Sequence, residues 1–332
     1  MDLLGLGGTS WLGGAVARDA VARGHRVTCL ARGEAGTPPD GVTWVRADRR
    51  EPGAYDSVAD RDWHAVVDVS WQPDQVRSAL AALTPRARHW VYVSSCSVYV
   101  DDATPDTDES APLHPAHEGA GPVDIEVYGP AKVACERACV DALGAERVLL
   151  ARAGLIAGYG DRSDRFGYWP ARAARAQDGE PVLAPPGDVH TQVIDVDDLS
   201  AWLVHTAEQR VGGAFNAVGD PVPVRATLDA SASAAGTRPT YREAADGWLT
   251  EQDVEPWAGP ESLPLWLPQP DYAGFASRSN AAAKHAGLRL RPVADTAAAA
   301  LAWERELGID RDDRRAGLSP AREAELLERL DT

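Results

Sequence analysis

The sequence has no hydrophobic run long enough to cross a membrane. Across its 332 residues, no stretch approaches the roughly 18 uncharged apolar residues that a spanning helix needs. The start, MDLLGLGG, also lacks the basic segment of a secretion signal and enters at once an apolar run typical of a core strand. We therefore expect the chain to begin near Met1 and to lie in the cytoplasm, with no membrane partner.

Cysteine is scarce, and its spacing does not indicate a metal site. The four cysteines include no CxxC pair and no spacing typical of zinc ligands. Cys135 and Cys139 lie one turn apart on a helical pattern, where two small buried residues are more common than a disulfide. His114 and His117 lie in a Pro- and Gly-rich loop without a partner motif. The sequence therefore predicts no bound metal.

Positive charge is also in short supply. Lysine and arginine number 33 against 50 acidic residues, which gives a formal net charge of −17. Such a surface repels nucleic-acid phosphates and anionic lipid headgroups, although a local basic groove can still hold an anionic cofactor. We expect a small-molecule ligand and no nucleic-acid partner.

Short apolar runs alternate with helical patterns through the first half of the chain. The segments AVVDV (65–69) and HWVYVS (89–94) are continuous apolar runs typical of strands buried on both faces. The alternation predicts an α/β fold, a Rossmann-type doubly wound parallel sheet with helices on both sides and a smaller C-terminal lobe. Further strands are predicted at residues 2–6, 26–30, 42–46 and 147–151, and helices at 13–23, 74–83 and 128–143.

The composition changes after about residue 160, where Pro and Gly interrupt short segments and Trp accumulates. We predict a nucleotide-binding Rossmann domain over residues 1–160 together with about 190–218. A substrate-binding lobe is predicted over about 161–189 and 219–332.

A glycine-rich turn, GLGGTSWLG, follows the first predicted strand and opens the first helix. Glycines allow a tight turn and let backbone N–H groups approach a pyrophosphate, which then sits on the helix N-terminus. Because the turn stands between a strand and a helix at the start of the chain, it predicts dinucleotide binding. The predicted contacts are Gly7, Gly8, Thr9, Ser10, Trp11, Leu12 and Gly13.

This turn resembles the TGGxGxxG turn of the extended short-chain dehydrogenases/reductases, the NAD-dependent epimerase/dehydratase family. Gly7, Gly8 and Gly13 match it, Ser10 replaces the usual middle glycine, and Trp11 replaces the common aromatic residue. The resemblance implies a Rossmann-type fold, an NAD(P) cofactor and oxidoreductase or epimerase activity. Relatives often pair through their tyrosine-bearing helix, so the resemblance also implies a homodimer.

The end of the second strand indicates which nicotinamide cofactor is used. Ala31 stands where an acidic residue would accept hydrogen bonds from the adenosine ribose of NAD. The next residue, Arg32, can bind a 2′-phosphate through charge and two hydrogen bonds. By resemblance, Asp48 holds the adenine amino group, and Arg49 is a second candidate for the phosphate. We predict NADP(H), with NAD(H) as the alternative.

The segment Tyr128-Gly-Pro-Ala-Lys132 carries the clearest chemical signal. On a helix the two side chains share a face, so the ammonium group of Lys132 can lie beneath the phenol and contact the cofactor ribose. A free phenol has a pKa of about 10, which a nearby cation lowers. Once protonated, the phenol can donate its proton to a carbonyl oxygen. The family carries this motif after its fifth strand, which is where it is predicted here.

The segment VYVSSCSVY resembles the family's SSxxVYG segment at the carboxyl end of a buried strand. By that register, Ser95 is the hydroxyl that bonds the reacting oxygen beside Tyr128, and Ser97 is the alternative. No GxSxG motif suggests a nucleophilic serine. Sugar-nucleotide 4,6-dehydratases carry an Asp-Glu pair where Cys96 and Ser97 stand, so the resemblance argues against a dehydratase.

The substrate side matches the family less well. Thr191 stands where an arginine often binds a nucleotide diphosphate, and Asp195 replaces a usual histidine, which argues against a UDP- or dTDP-sugar substrate. Candidates for the pocket lining are Arg165, Tyr168, Trp169 and Gln192.

Three functions remain open at this point. An NADPH-dependent carbonyl reductase or dehydrogenase for a small polar or sugar-like substrate is favoured by Arg32, because NADP pools serve net reduction. The alternative is an epimerase of a sugar or sugar nucleotide that oxidises and re-reduces one centre with a retained nicotinamide. The third is a non-catalytic relative that senses NADP or binds RNA. The acidic charge argues against RNA binding, and the intact set of Tyr128, Lys132 and Ser95 argues against a sensor.

Overall fold

The computed structural model describes residues 1–331 of the chain. The strands are β1 Asp2–Leu6, β2 Arg26–Ala31, β3 Thr43–Arg46, β4 Ala65–Asp68, β5 Trp90–Ser95, β6 Val148–Ala153, β7 Leu155–Ala157, β8 Pro181–Ala184, β9 His190–Asp195, β10 Gly213–Ala217, β11 Pro221–Pro223, β12 Thr240–Glu243, β13 Glu255–Pro256, β14 Gly259–Pro260, β15 Ser262–Leu263 and β16 Ala316–Gly317. The α-helices are α1 Trp11–Ala22, α2 Asp56–Ala59, α3 Pro73–Leu83, α4 Tyr128–Leu143, α5 Tyr168–Arg175, α6 Val196–Gln209, α7 Val224–Ala235, α8 Asp246–Glu251, α9 Ala281–His285, α10 Val293–Leu307 and α11 Pro320–Leu330.

A seven-stranded sheet in the order β3-β2-β1-β4-β5-β6-β10 forms the centre of the molecule, and its strand pairs are all parallel. The predicted Rossmann-type α/β fold is thus confirmed. Leu6 at the end of β1 is level with Leu30 in β2 and with Asp68 in β4. Strand order reverses between β1 and β4, and in such sheets the ligand crevice opens at the carboxyl ends of these strands.

Successive strand residues enter hydrophobic cores on opposite sides of the sheet, as the pleat requires. Leu3 and Val67 pack in the cluster that includes residues of α1 and α6. Their neighbours Leu4 and Val66 pack in the cluster that includes residues of α3 and α4. Both faces are therefore covered, which explains why these strands are continuous apolar runs in the sequence.

A separate hydrophobic cluster lies in the C-terminal half and includes residues of α5, α7, α10 and α11 with strands β8 and β15. Leu155 and Ala157 of β7 also belong to it, and β7 pairs with β9 beside the main sheet. The bounds of the predicted two-lobe division stay a prediction.

The four cysteines are free and buried. Within residues 1–331, the helices are too short or too polar for any of them to cross a membrane.

Candidate active site

The glycine-rich turn joins β1 to α1 at the crevice. Gly7 has a φ of +90°, which favours glycine, and a Cβ on Gly13 would lie 2.3 Å from the Gly7 carbonyl oxygen. Ser10, which replaces the family's middle glycine, is the N-cap of α1. Its Oγ accepts a hydrogen bond from the Gly13 N–H at 3.2 Å and donates one to the Gly7 carbonyl at 2.8 Å. The serine therefore stabilises the turn rather than disrupting it.

A cavity of about 380 Å³ opens beside this turn, within the size range of small-molecule sites. Its walls come from the turn and from the segments that follow β2, β3 and β4. They include Gly7, Thr9, Ser10, Arg32, Asp48, Arg49 and Trp71. The structure thus brings most of the predicted cofactor contacts to one cavity. Trp11 and Leu12 lie at the start of α1, and the Leu12 side chain is buried in the core beneath.

Arg32 and Asp48 lie near each other at the mouth of the cavity. The Arg32 side chain is 41% exposed, with Nη1 at 3.0 Å from the Glu34 carboxylate and 4.0 Å from Asp48. Hydrogen bonds from Arg50 lower the pKa of Asp48 to about 2, so this carboxylate is ionised at neutral pH. Arg32 thus carries a partly exposed guanidinium that can reorient toward a ligand.

Arg49 also lines the cavity, but its guanidinium is bonded inside the protein. Its guanidinium is buried and bonds both carboxylate oxygens of Asp68 at 2.7 Å, the Tyr55 hydroxyl at 3.0 Å and the Gln75 carbonyl at 2.9 Å. Asp68 itself is fully buried. Four of its five N–H donors are thus used inside the protein, which favours a structural role for Arg49. Its contact with a cofactor phosphate stays a prediction.

Tyr128 and Lys132 lie at the start of α4, one turn apart as predicted. The Lys132 Nζ is 5.8 Å from the centre of the Tyr128 ring and 4.9 Å from that of Tyr92. It donates hydrogen bonds to the carbonyl oxygens of Val93 at 2.7 Å and Ser70 at 3.2 Å. The ammonium group is thus held at the carboxyl ends of the central strands.

Burial changes the pKa of both groups. It lowers the pKa of Lys132 to about 8, because the charged amine has lost its water. It raises the pKa of the Tyr128 phenol, while hydrogen bonding with Ser95 and the positive charge of Arg165 act in the opposite direction. At neutral pH, in the absence of a ligand, the phenol is therefore protonated and can serve as a proton donor.

Ser95 ends β5 next to this pair. Its Oγ donates a hydrogen bond to the Ser97 Oγ at 3.1 Å and accepts one from the Ser97 N–H at 3.1 Å. Its proximity opposes part of the rise in the pKa of Tyr128 that burial causes. Ser94, by contrast, is buried and its Oγ has no hydrogen-bond partner. The structure therefore brings Ser95 together with Tyr128 and Lys132.

Trp71 links the nucleotide cavity to the reacting groups, and it belongs to none of the motifs in the sequence. It lines the cavity, and its ring centre lies 5.5 Å from that of Tyr128. It comes shortly after β4, whose carboxyl end lies at the switch in strand order. That position is the signal that could have identified it.

The four predicted pocket residues are placed differently from one another. Arg165 is partly exposed and near Tyr128. Tyr168 and Trp169 are buried in the hydrophobic core of the C-terminal half, where the Trp169 Nε1 donates to the Pro264 carbonyl at 3.0 Å. These two predictions are corrected: both side chains are core residues, because α5 turns this face toward α7 and α10.

Gln192 is likewise used by the fold. Its amide nitrogen donates to the carbonyl oxygens of Gly219 and Arg278, and its oxygen accepts from the Arg278 N–H. It does line a small cavity together with Cys96 and Trp257. With its amide already bonded to backbone, Gln192 shapes that cavity as a fixed wall, and its place in the substrate pocket stays a prediction.

Comparisons with known proteins agree with this architecture. A model of the NAD dependent epimerase/dehydratase family matches residues 4–217. The 2'-dehydrokanamycin reductase of Streptomyces kanamyceticus is 32% identical over 216 residues, which span 61% of this chain and 57% of that protein.

Solved structures share the fold. An epimerase candidate from Burkholderia cenocepacia J2315 superposes with a TM-score of 0.70 at 20% identity, covering 92% of this chain and 98% of that one. UDP-glucuronic acid 4-epimerase from Bacillus cereus, solved in complex with NAD, gives a TM-score of 0.64 at 13% identity and covers 92% and 99%. The chain therefore belongs to the NAD dependent epimerase/dehydratase family, the extended short-chain dehydrogenases/reductases.

Proposed function

We propose that this protein is an NADP(H)-dependent carbonyl reductase, or dehydrogenase in reverse, for a small polar or sugar-like substrate. The observation that carries the proposal is the cluster of Tyr128, Lys132 and Ser95 at the carboxyl edge of the sheet, beside a nucleotide-sized cavity. The Streptomyces relative is named as a reductase, which agrees with this reaction class.

The residues around the cavity fit a dinucleotide. A Cβ on Gly7 would lie 2.7 Å from Val69, and one on Gly13 would collide with backbone, so both positions of the turn need glycine. The first N–H groups of a helix have no intrahelical acceptor, so we assign the pyrophosphate to the amides of Trp11 and Leu12. Arg32 would hold the 2′-phosphate and Asp48 the adenine amino group. Lys132 would hold the nicotinamide ribose. A bound nicotinamide supplies or accepts the hydride.

Side chains of the protein carry out the proton transfer. The Tyr128 phenol donates its proton to the substrate oxygen as that oxygen gains negative charge. The Ser95 hydroxyl donates a hydrogen bond to the same oxygen and fixes its position. Lys132, fixed by Ser70 and Val93, stabilises the phenolate that remains after the transfer.

Arg32 should determine the preference for NADPH over NADH. In an Arg32→Gln variant, we expect the Kd for NADPH to rise about 10- to 100-fold and the Kd for NADH to change little, because only NADPH has the phosphate. The measurement is a titration of nucleotide-free protein with each cofactor.

Arg18→Gln is the matched control, since Arg18 is an exposed residue of α1 and the change in charge is the same. Its preference should equal that of the wild type. An Arg32→Gln variant with unchanged NADPH affinity would overturn the assignment of the 2′-phosphate.

Epimerisation is the second candidate, because a solved structure that shares the fold is a 4-epimerase. Thr191, where the family often has a phosphate-binding arginine, is buried and bonds Thr227 at 3.0 Å. It therefore offers no diphosphate contact. This observation favours reduction over the epimerisation of a sugar nucleotide.

We propose a cytoplasmic location, because a reductase that consumes NADPH needs the cytoplasmic supply of that cofactor. We also propose that its binding partner is a small-molecule substrate. We propose the same bounds for the nucleotide-binding domain and the substrate-binding lobe that the sequence pattern predicts. A homodimer that pairs through α4 is a proposal from the family resemblance.

A further inference from the structure

Arg165 presents a positive charge that nothing in residues 1–331 neutralises by contact. Its Nε donates to the Ser163 Oγ at 3.3 Å, and its two Nη groups have no hydrogen-bond partner among the described residues. No carboxylate in that part of the chain lies within ion-pair distance of it. The side chain is partly buried, and this burial lowers the pKa of the guanidinium.

The segment that carries Arg165 is held firmly in place. The preceding residue, Asp164, is buried and has a φ of +62°. Its carboxylate accepts from the Arg315 N–H at 2.8 Å and pairs with Arg311 and Arg314. Glu304, also buried, pairs with the same two arginines. Arg165 therefore extends from a fixed backbone rather than from a loose loop.

The position of Arg165 is between the reacting groups and an aromatic wall. Its guanidinium carbon lies 5.6 Å from the centre of the Trp257 ring, and its charge acts on the Tyr128 phenol. Trp257 packs edge-on against Phe275 at 5.0 Å, and both line the small cavity that also contains Cys96. The guanidinium thus lies near both the Tyr128 phenol and the Trp257 ring.

The negative charge of Asp161 acts on Arg165, but the Asp161 carboxylate bonds Ser163. Its carboxylate accepts hydrogen bonds from the Ser163 N–H at 2.8 Å and the Ser163 Oγ at 2.9 Å. Its attraction on Arg165 is thus exerted without contact. A partly buried cation without a contacting partner is costly to a fold, and at functional sites the missing partner is often the ligand.

We propose that Arg165 binds an anionic group of the substrate, a carboxylate or a phosphate, and so selects anionic carbonyl compounds. The inference rests on the proposed function, because it takes the space between Tyr128 and Trp257 as the substrate site. The planar guanidinium offers two parallel N–H donors that match either oxyanion, and stacking on an aromatic ring leaves those donors accessible.

The test measures the binding of inorganic phosphate and of malonate to the NADPH-bound protein by calorimetry. We expect saturable binding to the wild type that weakens at least tenfold in Arg165→Met and is partly kept in Arg165→Lys. Arg162→Met is the matched control, since this exposed arginine lies three residues earlier and over the Trp303 ring. Equal anion binding by the wild type and Arg165→Met would overturn the proposal, as would no binding by the wild type.

A second measurement separates the two sources of an anion. If Arg165 binds substrate, the Kd for NADPH is the same in wild type and Arg165→Met. A tenfold rise in that Kd would instead assign the guanidinium to the cofactor diphosphate and overturn the substrate assignment. If the wild type binds no NADPH at all, the proposed function fails, and the anion titration on unliganded protein still decides the role of Arg165.

Discussion

A Tyr128→Phe variant should lose about 1000-fold in kcat for carbonyl reduction, because a positioned proton donor contributes about 10²- to 10⁴-fold. The ring that packs against Trp71 is kept, and only the hydroxyl is removed. We therefore expect an unchanged Kd for NADPH and a melting temperature close to that of the wild type. The measurement is steady-state NADPH oxidation with a carbonyl compound that the wild-type enzyme turns over.

Tyr159→Phe is the control for the loss of a phenol. Tyr159 is 45% exposed, and its hydroxyl bonds Glu306 at the surface at 2.6 Å. Its kcat should stay within about twofold of the wild-type value, as is usual for a surface change. A Tyr128→Phe enzyme that keeps more than a tenth of wild-type kcat would contradict the assigned proton donor.

An Arg49→Met variant should lose about 3–5 kcal/mol of unfolding free energy, because it leaves the Asp68 carboxylate buried without its counter-charge. The same variant should show the wild-type ratio of NADPH to NADH affinity where it is still folded, since four of the five N–H donors of Arg49 are bonded inside the protein. Denaturant unfolding measures the first quantity and cofactor titration the second.

Arg32→Gln gives the opposite pattern, with altered cofactor preference and nearly unchanged stability, because the Arg32 side chain is substantially exposed. The two arginines thus serve as controls for each other. If Arg49→Met unfolded at the wild-type denaturant concentration and lost its NADPH preference, Arg49 would be the phosphate contact and Arg32 would not.

The central sheet could be predicted from the sequence because its strands are buried on both faces. Continuous apolar runs at 65–69 and 89–94 correspond to β4 and β5 within one or two residues. The start of α1 was predicted two residues late. Its glycines weaken the helical pattern, whereas the Ser10 cap that starts the helix is a single side-chain interaction.

The C-terminal half could be predicted only in outline. Its strands β13 to β16 have two residues each, too few to show any periodicity. Tyr168 and Trp169 follow a family-like motif, and aromatic residues suit a pocket and a core equally well. Only the packing of α5 against α7 and α10 places these two side chains in the core.

The same limit applies to charged residues at the site. Arg32 and Arg49 both follow strand ends, and nothing local distinguishes them. The difference is that Asp68, distant in sequence, meets Arg49 in the folded chain. Lys132 and Tyr128 could be found because their spacing alone places them on one helix face.

The most direct test of the proposed function is the nucleotide state of the purified protein. The protein is denatured, any released nucleotide is identified, and nucleotide-free protein is then titrated with NADPH and with NADH. We expect exchangeable binding, with NADPH bound at least tenfold more tightly than NADH. Retained NAD⁺ that resists exchange would contradict it and would assign the site to an epimerase.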